Sequence, residues 1–186
     1  VNEKKRHEPP DTAMAASSFK KRLLGWLKTF AVYLIIVVIG GFLGNLWMTR
    51  DQATGSAPMI VGPNLEGQQL NIDLSAANAP RLLYFFAEWC PICRAQHGVI
   101  NAIHASVPVL GIAMQSGSTQ QVRQYAAEQE LAFPVINDES GQISRSFGVR
   151  GVPAVFILDS RGQIAFSTRG YATELGLRSR LWLTRQ

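Results

Sequence analysis

The sequence predicts an α/β domain built on a central mixed sheet flanked by helices and preceded by a single transmembrane helix. Three observations carry that prediction. Residues 82–86 are a short apolar run suited to a buried strand, and they lead into an apolar stripe at helical spacing, Ala95, Val99, Ala102 and Ile103. The succession then recurs: residues 108–114 form a second apolar run, and Ser118 with Gln121 makes a capping box that opens a helix turning Val122, Tyr125 and Ala126 inward. Strand, helix, strand, helix implies a parallel pair with crossover connections. Finally, residues 29–48 carry no charge over 20 positions, the length needed to cross a hydrocarbon core.

Composition bounds the rest. A chain of 186 residues has room for one globular domain plus appendages. With 47% hydrophobic and 17% charged residues, the chain as a whole is not disordered. Two cysteines cannot build a disulfide scaffold, and no Cys₄ or Cys₂His₂ zinc site can be assembled from neighbouring residues. The net charge of +5 is unevenly placed: residues 1–28 hold seven Lys or Arg against three acids, a net of +4, leaving +1 for everything after. A basic tail ahead of an apolar run sets membrane orientation, so the charge is read as topology and no nucleic-acid partner is expected.

In chain order, residues 1–28 are expected to be a cytoplasmic basic tail and residues 29–48 the span. Trp26 and Trp47 bracket it, roughly 31 Å apart along a helix at 1.5 Å per residue, as an aromatic belt requires. Lys20, Lys21, Arg22 and Lys28 stand in front, against Arg50 alone close behind, which places the N-terminus in the cytoplasm and the rest outside it. A cleavable signal peptide ending near Gly55-Ser56-Ala57 competes, although its apolar region would be unusually long. Gly40 and Gly44 form a G-x-x-x-G that lets two spanning helices approach. Residues 49–57, small and polar, read as a linker, and residues 58–186 as the folded domain. Near its end, residues 154–158 and 163–167 read as strands joined by the turn Asp159-Ser160-Arg161-Gly162, and residues 173–182 as a closing helix.

The chemistry rests on Cys90-Pro91-Ile92-Cys93, after a strand and at the opening of a helix. A thiol there faces unpaired N–H groups and the positive end of the helix dipole, both of which favour the attacking thiolate. Pro91 suits the first turn, where its missing N–H costs nothing. One turn separates the sulfurs, so Cys90 is expected to attack and Cys93 to resolve the mixed disulfide, with no bound cofactor or metal. A structural bridge over so short a loop would constrain the unfolded chain little. Arg94 stands where a haem-attachment motif needs His. A copper-binding module using Cys90, Cys93 and His97, with Met114 nearby, competes, although a lone helical His is ordinarily a partly exposed helix residue.

Residues 85–93 (FFAEWCPIC) resemble the active-site segment of thioredoxins, with Trp89 directly before the first cysteine. Residues 133–138 (FPVIND), 147–153 (FGVRGVP) and 156–159 (FILD) look like the matching stretches of membrane-tethered thioredoxin-like (TlpA-like) disulfide oxidoreductases. The closing residues 177–186 are most similar to the protein D branch found in bacterial suppressor-of-copper-sensitivity operons.

The resemblance implies a thioredoxin fold over residues 58–186, a redox-active Cys90–Cys93 disulfide, and a substrate groove walled by Trp89, Val152 and a cis Pro153. It implies a bacterial inner-membrane protein with its thioredoxin domain in the periplasm, exchanging disulfides with partner proteins, recharged by a membrane electron donor, and acting as a reductant in copper tolerance. A thiol reductase for cytochrome c maturation is the alternative within the class. The sequence departs from the family in one respect: Tyr84 stands where thioredoxin has a buried Asp six positions before the first cysteine, and Glu88 is the acid left to substitute for it through water.

Overall fold

The computed structural model describes residues 26, 29–41, 43–44, 52–75 and 81–184. The chain divides into two units, Val1–Gly44 and Asn45–Gln186. In the first, residues 29–41 and 43–44 are helical, and the apolar side chains from Phe30 to Ile39 are exposed around the whole circumference. Among the described residues no helix is long and apolar enough to cross a membrane. The expected span runs on past them, since Phe42 and residues 45–48 lie outside the described residues, as do the basic tail apart from Trp26 and the flanking Arg50.

The second unit holds β1 (Gly55–Ser56), β2 (Ile60–Pro63), β3 (Gln69–Ile72), β4 (Arg81–Phe86), α1 (Pro91–His104), β5 (Val109–Met114), α2 (Thr119–Glu128), β6 (Val135–Asp138), α3 (Gln142–Ser146), β7 (Ala154–Leu158), β8 (Gln163–Arg169) and α4 (Glu174–Leu183). One sheet runs in the order β1-β8-β7-β4-β5-β6, and β2 pairs with β3 in a separate hairpin. The β4–β5 and β5–β6 pairs are parallel, while β4–β7, β7–β8 and β1–β8 are antiparallel. This is the mixed sheet of the thioredoxin-like α/β fold, with the expected parallel pair at its centre.

β4 is central, so both of its faces are buried and its sequence is apolar throughout rather than alternating. Leu82, Tyr84 and Phe86 face the layer of α1, α2 and α4, whereas Leu83 and Phe85 face the layer that holds Phe147 and Phe156. Phe85, Phe147 and Phe156 meet with ring centroids 5.3 to 5.4 Å apart, mostly edge-on, which adds roughly 0.5–1.5 kcal/mol per pair beyond the area they bury. The Ser118–Gln121 capping box opens α2 as its sequence requires. The β7–β8 turn closes at Gly162, whose φ of +72° and close approach to the Leu74 carbonyl admit no side chain.

Two expectations about this unit need correction. The expected linker 49–57 is partly folded in: Gly55–Ser56 pairs with β8, the Ala53 N–H bonds the Phe147 carbonyl at 2.9 Å, and Gln52 is buried. A small polar segment can complete a sheet edge because backbone pairing needs no apolar side chains. The core-facing stripe of α1 is also rotated from the one expected. Ala95 is exposed, and Cys93, Gln96, His97, Ile100 and Ile103 are the buried set. Two of these are polar and each finds buried partners, which apolar periodicity cannot register.

Candidate active site

β4 ends at Phe86, and Cys90 follows four residues later as the N-cap of α1, in an extended conformation with φ −97° and ψ 106°. Pro91 occupies the first turn, as its lack of an N–H allows. Cys90 and Cys93 are joined by a disulfide with their Cα atoms 5.3 Å apart. The Cys93 N–H points at the Cys90 sulfur, 3.1 Å away, so one of the unpaired amides of the helix start already addresses it. Cys90 is 4% exposed and Cys93 fully buried.

Around the disulfide stand the residues expected as a groove. The Val152–Pro153 peptide is cis, and the Val152 carbonyl oxygen lies 3.7 Å from Cys90 Sγ. Trp89 is 60% exposed, so it is no core residue; its indole N–H donates to the Gln115 carbonyl at 3.1 Å. Gln115 has φ +46°, in the left-handed region that non-glycine residues seldom occupy, and the strand-end turn it makes presents that carbonyl. Two further ties converge on the 170–172 loop. Gly170 N–H donates to Pro153 at 2.8 Å, and the Gln96 amide bonds both backbone groups of Ala172, at 2.7 and 2.8 Å. Tyr171, held between them, is exposed. No local signal marks Gln96, Gln115 or Tyr171, because each is positioned by contacts distant along the chain.

Beneath the disulfide lies a buried polar chain. The Tyr84 hydroxyl donates to the Cys93 carbonyl at 3.1 Å and stands 3.4 Å from His97 Nδ1. His97 Nε2 is 2.9 Å from the Tyr125 hydroxyl. With the Tyr84 proton on the nearer acceptor, the Cys93 carbonyl, the tautomer that satisfies both His97 contacts carries its hydrogen on Nδ1 and accepts from Tyr125 on Nε2. His97 is only 3% exposed, which corrects the expectation of a partly exposed helix residue. Burial, with Arg94 beside it, pushes its pKa down to about 4, and burial raises both tyrosines above their ordinary values. Tyr125 opens onto a cleft of about 350 Å³ lined by Glu88, Arg94, Gln121, Gln124 and Glu128. Glu88 is half-buried at its rim and its N–H bonds Ser116 Oγ at 3.1 Å.

Both ring nitrogens of His97 thus stand within hydrogen-bond distance of tyrosine hydroxyls. Among the described residues no group of three or more His, Cys, Asp or Glu side chains could hold a metal ion. Met114 is half-buried at the end of β5.

Comparison with known proteins agrees with this geometry. The family described as AhpC/TSA matches residues 54–167. A thioredoxin-like protein of Haemophilus influenzae is 27% identical over 164 residues, 88% of this chain and 95% of its own length. The thiol-disulfide oxidoreductase ResA of Bacillus thuringiensis is 27% identical over 166 residues, 83% of this chain and 92% of its own. Among solved structures, a secreted thiol-disulfide isomerase from Corynebacterium glutamicum superposes with a TM-score of 0.62 at 24% identity, covering 70% of this chain and 86% of that one.

Proposed function

The chain belongs to the AhpC/TSA family, and from that premise we propose that it is a membrane-tethered periplasmic reductant of protein disulfides. It is a thiol-disulfide oxidoreductase with a redox-active Cys90–Cys93 pair, like its relatives. The observation that carries the finer reading is the placement of Cys90: an N-cap thiol addressed by a helix amide, beside an exposed Trp89 and the carbonyl of Val152. That amide and the helix dipole favour thiolate on Cys90. Trp89, Val152 and Pro153 then form the groove in which an extended segment of a partner protein lies.

In the reducing direction the Cys90 thiolate attacks a partner disulfide, forming Cys90–S–S–R and expelling the partner's other sulfur as thiolate. Cys93 loses its proton and attacks Cys90 Sγ, which closes the intramolecular disulfide and releases R–S⁻. Two electrons have passed to the partner, and a membrane electron donor must return them.

The tether reading is supported by the exposed apolar helix at residues 29–41, since a helix apolar all round needs a nonaqueous environment. The copper-tolerance setting rests on the likeness of residues 177–186 alone. Trapping tests the assignment of roles: Cys93→Ser should accumulate mixed disulfides with partner proteins in cells and Cys90→Ser should not. Equal trapping by the two variants would refute it.

A further inference from the structure

The Tyr84–His97–Tyr125 chain is not explained by packing alone, because three buried polar groups in line could have been replaced by apolar residues at no cost in volume. In the tautomer that satisfies all three contacts the chain runs Tyr125 O–H to Nε2, Nδ1–H to Tyr84, and Tyr84 O–H to the Cys93 carbonyl. Every positive end therefore points toward the turn of α1 that carries the second cysteine. The opposite end opens at Tyr125 onto a cleft bordered by Glu88 and Arg94. His97 itself lies one helical turn beyond Cys93.

We propose that His97 is a positioning residue for the buried thiol, taking up from the cleft the proton that compensates the charge when Cys93 becomes thiolate. Cys93 is fully buried, and a lone thiolate there would be an uncompensated charge in the core. In the resolving step the Cys93 S–H proton passes to water at the open side of the mixed disulfide while His97 draws one from the cleft through Tyr125; the thiolate attacks Cys90 Sγ, the bond to the leaving sulfur breaks, and that sulfur departs as R–S⁻. With His97 protonated through Tyr125 while the thiolate exists, the interior stays neutral; when the disulfide has closed, that proton returns to the cleft. The groups facing His97 fit this sequence. Tyr84 from β4 and Tyr125 from α2 hold its two nitrogens, and Arg94 on its own helix opposes a positive charge, so the ring is neutral until Cys93 supplies a negative one. Glu88 bears on the chain only through Tyr125.

This inference rests on Cys93 being the resolving thiol, which the trapping experiment tests separately. The test uses the reduced full chain with the disulfide probe 5,5′-dithiobis(2-nitrobenzoate). Attack by Cys90 releases one thionitrobenzoate in a step whose rate depends on probe concentration, and resolution by Cys93 releases a second in a step whose rate does not. In His97→Gln, which keeps the volume and the hydrogen bonding but cannot hold the proton, the second step should slow about tenfold at pH 7 and its pH midpoint should rise by about one unit, while the first changes less than twofold. Tyr125→Phe, which removes one hydroxyl at the cleft, should move the midpoint in the same direction and serves where His97→Gln does not fold. A wild-type midpoint in the folded variants, or equal slowing of both steps, overturns the proposal.

Discussion

Gln96 holds Ala172 by both backbone groups, donating to its carbonyl at 2.8 Å and accepting its N–H at 2.7 Å across 76 residues of sequence. This pair joins the helix that begins at the disulfide to the loop behind Pro153, so the position of Tyr171 is fixed by a residue in the second turn of α1. Both residues are buried, Gln96 completely.

Gln96→Ala should therefore cost more than an ordinary surface change. Two buried backbone groups lose their partners at once, at about 1–3 kcal/mol each, so a loss of about 2–6 kcal/mol is expected in urea unfolding of the full chain followed by near-ultraviolet dichroism. A loss under about 0.5 kcal/mol would mean that water replaces the amide and that the loop is held elsewhere.

His97 makes stability depend on pH in a defined direction. Its pKa is about 4 in the fold against 6.5 for the free side chain, so the unfolded chain binds the extra proton between those values. Its neutral form costs nothing above pH 6.5, and stability falls as pH drops toward 4. For the oxidised protein the contribution lost by pH 4.5 is on the order of 2–3 kcal/mol. Carboxylates titrate over part of the same range, so the comparison is with His97→Gln: the difference in stability between pH 7.5 and 4.5 should be smaller in the variant by that amount. Parallel pH profiles would show that His97 is charged in the fold.

Much of this arrangement was legible in the sequence. β4, β5, α2 and the β7–β8 hairpin announce themselves by apolar runs, a capping box and an Asp-Ser-Arg-Gly turn, all of which are local signals. The disulfide was legible at Cys90 and Cys93 because the motif is contiguous. What escaped was set by partners far along the chain. β1 has two residues and exists only by pairing with β8; β3 reads Gln-Leu-Asn-Ile, its alternation too short to stand out; α3 has five residues and no side-chain cap. His97 looked solvent-facing because its two tyrosines come from β4 and α2, and no periodicity in α1 could point to them.

The asymmetry of Lys20, Lys21, Arg22 and Lys28 against Arg50 predicts that the chain after the apolar run lies outside the cytoplasm. A reporter active only in an oxidising compartment, fused after Thr54, should be active, and a cytoplasmic reporter at the same point should be silent. The reverse pattern would remove the periplasmic reading together with its redox argument.

The direction of electron flow depends on how well the Cys90 thiolate is stabilised, since a strong oxidant is one whose reduced form is favoured. Pro91 and Ile92 contribute no charge between the cysteines, and the described surroundings offer Cys90 one helix amide, that of Cys93, together with the helix dipole. The Val152 carbonyl, 3.7 Å away, disfavours a negative sulfur. Known sites of this chemistry run from about −120 mV for DsbA, with a thiol pKa near 3.5, to about −270 mV for thioredoxin, with a pKa near 7. With so little stabilisation of the thiolate, this site should lie nearer the reducing limit. In an oxidising compartment such a pair drifts to the disulfide, so it works as a reductant only while a membrane donor recharges it, and a tether keeps the two at high effective concentration. Equilibration of the full chain with glutathione should give a potential well below −200 mV, and cells with intact donors should hold the protein mostly reduced. A value near −120 mV, or a pool found oxidised with every donor present, would make it an oxidase and reverse the proposed flow.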